Sequence, residues 1–228
     1  MKTQLTALMV FAVALNGLAD LTQETNQPAR PRAIDPRAMQ MQMAVLKDQD
    51  LQKIEELLKQ GVDINAPIGC GTFSPLDGAV STENIVMLKF LLAHGAKPQG
   101  RELADAAFFN NPETALNFVK LLLEAGVSPN ATNRYSTPFT SAAYQGNSAL
   151  IALLLAQPEI RVDAADVDGY TALMWAADRA SLDIVDLLLE AGANPALKNK
   201  RGETAAALAE KGIATRQAIV SKLQSKSR

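Results

Sequence analysis

Cysteine, histidine and tryptophan occur once each, and tyrosine three times, in this 228-residue chain. A lone cysteine, Cys70, excludes an internal disulfide. A lone histidine, His94, together with that cysteine, excludes a His/Cys zinc site and leaves no credible Ser-His-Asp or Cys-His set. His94 falls in the last turn of a helical pattern, where its charge would favour the helix C-terminus. No glycine-rich phosphate loop follows a strand pattern. Basic excess is missing too: 22 Lys and Arg stand against 24 Asp and Glu, for a formal charge of −2. That balance gives no footing for nucleic acid and names no partner. With 48% hydrophobic and 20% charged residues, disorder is not indicated.

What remains could carry little chemistry. Asp163, Asp166 and Asp168 cluster as in a calcium loop. No glutamate closes a twelve-residue loop, however, and Gly169-Tyr170-Thr171 begins a helix, so turn capping is the better account. Met39, Met41 and Met43 could suggest copper, but positions i and i+2 do not share a helix face, and cap packing is the simpler reading. Glu55 and Glu56 read as a solvated face. An enzyme or metal handler built on Cys70 or the methionines is the competing class. A third is a holdase chaperone, which would bind many clients weakly.

The N-terminus reads as a targeting segment. Lys2 supplies a positive start, Leu5–Leu15 an apolar core shorter than the ~20 residues of a membrane span, and Gly17-Leu18-Ala19 a small-residue cleavage site. The expected mature protein begins at Asp20 and, in a bacterial cell, is periplasmic, with no membrane insertion after cleavage. Residues 20–37, with Pro28, Pro31 and Pro36, read as a flexible linker. Cys70, in Gly69-Cys70-Gly71, is expected at a turn tip.

Beyond the linker the sequence repeats. The stretch Asp168-Gly169-Tyr170-Thr171 leads into Ala172–Ala177, then into Leu182–Ala191 and a glycine stop at Gly192. In the second of these helices Asp183, Asp186 and Glu190 form one narrow polar stripe. A helix so apolar is covered on two sides and needs neighbours before and after it. Gly169-Tyr170-Thr171 returns 33 residues later as Gly202-Glu203-Thr204. The leucine-rich helix ending in glycine recurs at Leu57–Gly61, Leu91–Gly95 and Leu122–Gly126. A period in the low thirties with two helices per unit marks a helical solenoid. Ser74-Pro75-Leu76-Asp77-Gly78-Ala79 and Thr137-Pro138-Phe139-Thr140-Ser141-Ala142 resemble the Thr-Pro-Leu-His-x-Ala motif of the ankyrin-repeat family, and the resemblance spans about Met39 to Leu223. It implies an all-α ankyrin-type solenoid of about six helix pairs with short hairpin fingers, over residues 38–228.

The end units read as caps. Leu51, Ile54, Leu57 and Leu58 oppose a polar face in the first, as do Ile219, Val220 and Leu223 in the last. Leu57 is therefore expected to be less covered than Leu188. The first helix is predicted over Met39–Leu46. The third unit departs from the pattern. Only Lys97 to Arg101 precede it, so its finger is truncated, and an added loop is expected around Asn110-Asn111-Pro112. In the fourth, Tyr135 stands near the place where glycine is usual, and Pro158 replaces the glycine stop.

In ankyrin-like stacks the residues beside each turn, and those just after the first helix, line a concave binding side. The positions matched here are Phe73, Phe108, Arg134, Tyr135, Tyr144, Gln145, Asp168, Tyr170, Asp178, Arg179, Lys200 and Arg201. Tyrosine and arginine dominate protein interfaces, although these tyrosines could instead stack on neighbouring turns to stiffen them. Trp175, inside the first-helix motif, reads as core between repeats. The resemblance implies a non-enzymatic scaffold for a protein partner, monomeric on its own and without a cofactor. Exported bacterial proteins of this build include ones proposed to support oxidative-stress defence and others that act as immunity proteins against toxins.

Overall fold

The computed structural model describes residues 36–66, 73–210 and 215–226. The targeting segment 1–19, most of the predicted linker and Cys70 lie outside the described residues. The chain divides into two compact units, Met1–Lys97 and Pro98–Arg228. The division falls at the truncated finger of the third repeat, where the sequence alone suggests one continuous domain.

In the first unit α1 spans Pro36–Met43, followed by a π-helical turn at Ala44–Asp48, α2 (Leu51–Lys59), α3 (Pro75–Ser81) and α4 (Ile85–Ala93). The first helix thus begins earlier than predicted. Pro36, assigned to the linker, opens it, because a first-turn proline has no N–H to satisfy and a preset φ. Met41 is buried, while Met39 and Met43, four apart, are both exposed on another face. The π turn packs against α2 and α3. Gly78 allows that approach: a Cβ there would lie 2.6 Å from Val45 Cγ1.

The outward face of α2 is polar, as a cap requires, with Gln52, Glu55, Glu56, Lys59 and Gln60 exposed. Its inner face is not half open, however. Leu57 and Leu188 are both 0% exposed, because α1 and the π turn lie over α2.

The second unit contains α5 (Arg101–Ala107), α6 (Pro112–Glu124), α7 (Pro138–Gln145), α8 (Ser148–Leu155), α9 (Ala172–Asp178), α10 (Leu182–Glu190), α11 (Ala205–Glu210) and α12 (Thr215–Lys226). The first helices α5, α7, α9 and α11 pack in one row, and the second helices α6, α8, α10 and α12 in another. Leu103, Phe118, Leu122, Phe139, Leu150, Ile184 and Leu188 fill the space between rows. No strand occurs among the described residues; an isolated antiparallel bridge pairs Ala165 with Thr171.

Side chains start the helices where the sequence suggests. Ser74, Thr137 and Thr171 each accept the backbone N–H three residues on, a cap typically contributing ~1 kcal/mol. In α3 Asp77 completes the box by accepting from the Ser74 N–H at 2.6 Å. The extra length of the third repeat is mostly not a loop. Only residues 108–111 separate α5 from α6, and α6 runs to 13 residues where α8 has 8. Asn111 caps it by accepting from Glu113 and Thr114, and Pro112 occupies the first turn.

Candidate protein-binding surface

The fingers of the second unit are built on one residue type at a fixed interval. Asn133, Asp166 and Asn199 stand 33 residues apart. Asp166 Oδ1 accepts from the N–H groups of Asp168 and Tyr170. Asn199 Oδ1 accepts from Arg201 and Glu203, and Asn133 Oδ1 from Tyr135 and Ser136. Each is an Asx turn that closes its finger locally. The three aspartates around residue 166 are thus turn and bridge formers. Asp163 likewise accepts from the Asn194 N–H at 2.9 Å.

One finger is shorter than its neighbours. Asp166 N–H donates to Tyr170 O and Asn199 N–H to Glu203 O, but Asn133 N–H donates to Ser136 O. The glycine of the fourth finger is therefore deleted rather than replaced by Tyr135. Adjacent fingers are joined by single backbone bonds, Val167 N–H to Tyr135 O and Lys200 N–H to Asp168 O, each 3.0 Å. Gly169 makes the second of these possible. Its φ is +80°, and a Cβ there would meet Lys200 N at 3.0 Å, a conformation and an approach that favour glycine.

Between fingers and first helices lies a row of rings. Phe108, which ends α5, stacks on Tyr144 of α7 with centroids 5.3 Å apart. Tyr144 meets the edge of Trp175 of α9 at 4.9 Å, and Tyr170 stacks on Trp175 at 4.4 Å. The Arg179 guanidinium sits 3.8 Å from the Tyr144 centroid, a cation–π contact. Trp175 donates its indole N–H to Asp166 Oδ2 at 2.8 Å. Gln145 donates to the Phe108 carbonyl across the first step of the row.

These placements sort the predicted residues. Tyr144 and Tyr170 meet on Trp175, Phe108 and Arg179 join them through Tyr144, and Gln145 through the Phe108 carbonyl. Arg134, Tyr135, Asp168, Lys200 and Arg201 lie exposed at the finger tips, with Tyr135 58% exposed. Tyr135 is placed in the tip row, so the three tyrosines do not form one patch of rings. Asp178, at the end of α9, is half-buried and engaged within the protein. Phe73 belongs to the first unit and is half-buried.

Sequence reasoning missed Trp175, which is half-buried and shares the ring row instead of disappearing into the core. It also missed a set of side-chain clamps. Asn65 accepts from Lys97 N–H and donates to Gly95 O. Asn130 does the same with Arg161 N–H and Glu159 O. Their spacing of 65 residues, close to twice the repeat length, was the available signal.

The carboxylates weighed as chemistry are tied to lysines. Glu55 pairs with Lys59 at 2.9 Å and Glu56 with Lys53 at 3.2 Å. The hydrogen bond and charge of Lys59 hold the Glu55 carboxyl below its usual range. His94, exposed at the end of α4, bonds through Nδ1 with Phe90 O and stacks on the Phe90 ring. Among the described residues no three His, Cys, Asp or Glu gather as a metal site would need. None of the described helices is long and apolar enough to cross a membrane.

Paired helices in two rows, with Asx-closed fingers, define a helical-repeat protein. The fold is that of the ankyrin repeat. Residues 103–199 match the family model described as ankyrin repeats (3 copies). A Rickettsia felis protein bearing the description ankyrin repeat protein is 31% identical over 156 residues, 68% of this chain and 43% of its own length. The nuclear factor NF-kappa-B p105 subunit of Gallus gallus is 31% identical over 166 residues, 70% of this chain and 17% of its own. The chain thus spans less than half the length of either relative. The crystal structure of an ankyrin repeat domain from Acinetobacter baumannii AYE superposes with a TM-score of 0.67 at 28% identity. That match covers 82% of this chain and 96% of the other.

Proposed function

We propose that this protein is a non-enzymatic scaffold that captures a protein partner on the inner face of its second unit. Ankyrin repeats in general mediate protein–protein interaction, and the fold is in general a non-catalytic scaffold. The observation that carries the reading for this chain is the row Phe108–Tyr144–Trp175–Tyr170 with Arg179 over it. Half-buried rings held by one another lose little freedom on binding, which is what makes Tyr, Trp and Arg effective anchors. Tyr144→Ala is expected to weaken capture of the partner from cell extract by ~2 kcal/mol or more. Glu190→Ala, on the opposite, exposed side of α10, is expected to change nothing. Full capture by the first variant with loss in the second, both remaining helical by circular dichroism, would place the partner on the outer face.

Action after export is the second part of the proposal, supported by Lys2, Leu5–Leu15 and Gly17-Leu18-Ala19. The protein recovered from the periplasmic fraction is expected to begin at Asp20. N-terminal sequencing that returned Met1 from a membrane pellet would refute export with cleavage. An immunity or oxidative-stress role fits a scaffold of this kind. The identity of the captured partner, a toxin or an antioxidant enzyme, distinguishes the two.

A further inference from the structure

The finger tips of the second unit carry a charge pattern that the chain as a whole does not. Arg134, Lys200 and Arg201 are exposed at the outer two of three consecutive tips, and Arg179 is exposed beside them at the end of α9. None of the four makes an ion pair among the described residues; the Arg179 guanidinium lies over the Tyr144 ring. This cluster sits on a protein of net charge −2. The middle tip is different. It presents Val167, 45% exposed, and the exposed carboxylate of Asp168. The three tips are kept in line by the Val167–Tyr135 and Lys200–Asp168 backbone bonds.

We propose that this line of tips binds an extended acidic peptide segment, with acidic side chains toward both ends and an uncharged, apolar residue at the centre. The idea rests on the inner-face reading above and gives its partner a chemistry. Adjacent packed helices lie about 8–10 Å apart, so two repeat steps cover roughly 20 Å. An extended chain rises ~3.3 Å per residue, which makes the bound stretch about six residues long. Carboxylates at its ends meet Arg134 on one side and Lys200 and Arg201 on the other. An apolar central residue meets Val167 and Tyr135, and a central acid is rejected by Asp168, since like charges across an interface are costly. The same aspartate argues against a nucleic acid strand. A polyphosphate cannot omit the charge at its middle position, whereas a peptide can.

The test is a library of random twelve-residue peptides displayed on phage and selected against the immobilised full chain. Winners are then measured in solution by anisotropy and by Trp175 emission. Enrichment of acidic residues flanking an apolar one, at separations of four to six, is expected. Affinity should fall at least 30-fold in R134E/K200E/R201E and decline steeply with salt. Single reversals, each checked by circular dichroism, stand in if the triple variant does not fold. Asp168→Asn should relax the selection, so that peptides with a central acid bind as well as the original winners. Enrichment of basic or uncharged peptides, no enrichment, or affinity indifferent to the charge reversals would overturn the proposal. If such peptides nevertheless lose affinity in Tyr144→Ala, the inner-face reading stands and only the acidic partner falls. If neither set of variants matters, both fall. Oligo(dT) binding more tightly than any selected peptide, with the same charge dependence, would assign the tips to nucleic acid instead.

Discussion

Leu188→Ala and Leu57→Ala are each expected to lower the unfolding free energy by about 2–5 kcal/mol. Both side chains are fully buried, so each substitution loses the transfer free energy of its removed atoms and leaves a cavity. Their positions separate the consequences. Leu57 lies in the first compact unit and Leu188 in the second, where α10 packs on α9 and so on the helix bearing Trp175. In a repeat fold each unit touches only its neighbours, so damage begins in the repeat that carries it. Urea melts followed by Trp175 fluorescence should move to lower urea in Leu188→Ala. In Leu57→Ala the far-UV dichroism should fall first, ahead of the fluorescence. A Leu57→Ala cost under ~1 kcal/mol would mean that the end helix is as open as its sequence pattern implies.

The helix pairs were legible because their signals are local. Ser74, Thr137 and Thr171 announce starts through a side chain and an N–H three residues away. The polar stripe on α10 announces two covered sides in one nine-residue segment. The cover over Leu57 was not legible. It comes from a helix opened by Pro36 and a π turn, and proline beside a polar stretch reads as linker. The length of the third repeat misled for a related reason: Asn110-Asn111-Pro112 is turn-like in composition, yet Asn111-Pro112 is also how a helix begins. The short fourth finger escaped because an insertion or deletion of one residue shows only when Asn133, Asp166 and Asn199 are set against one another. Trp175 escaped for a more instructive reason. Within Ala172–Ala177 it is surrounded by buried neighbours, and one repeat seen alone gives it no reason to be exposed. Its surroundings are supplied by Tyr144 from the repeat before and by the Asp166 turn nine residues earlier.

Trp175→Ala is expected to cost about 3–5 kcal/mol of stability, the range for a large aromatic truncation, because the half-buried ring also holds three specific contacts. Two ring contacts, to Tyr144 and Tyr170, account for ~0.5–1.5 kcal/mol each beyond area. The bond to the Asp166 carboxylate adds a charge-assisted contribution, typically ~1.5–3 kcal/mol. Asp166 itself does not lose its turn, since Oδ1 still accepts from Asp168 and Tyr170. Trp175→Phe keeps an aromatic face for both tyrosines but removes the donor and part of the ring, so about 1.5–3 kcal/mol is expected. The pair of variants decides whether the ring row is a brace, an anchor or both. A pure brace predicts that peptide capture tracks stability, falling in Trp175→Ala and falling less in Trp175→Phe, while Tyr144→Ala loses both together. An anchor predicts that Tyr144→Ala loses capture with little change in its melt, because Trp175 still has Tyr170 beneath it. The guanidinium of Arg179, left without the Tyr144 ring, should then lose its fixed position. Capture would become less sensitive to salt in Tyr144→Ala, since a loosely held cation contributes less directed charge. Equal salt dependence in wild type and Tyr144→Ala would show that Arg179 does not depend on the ring for its role.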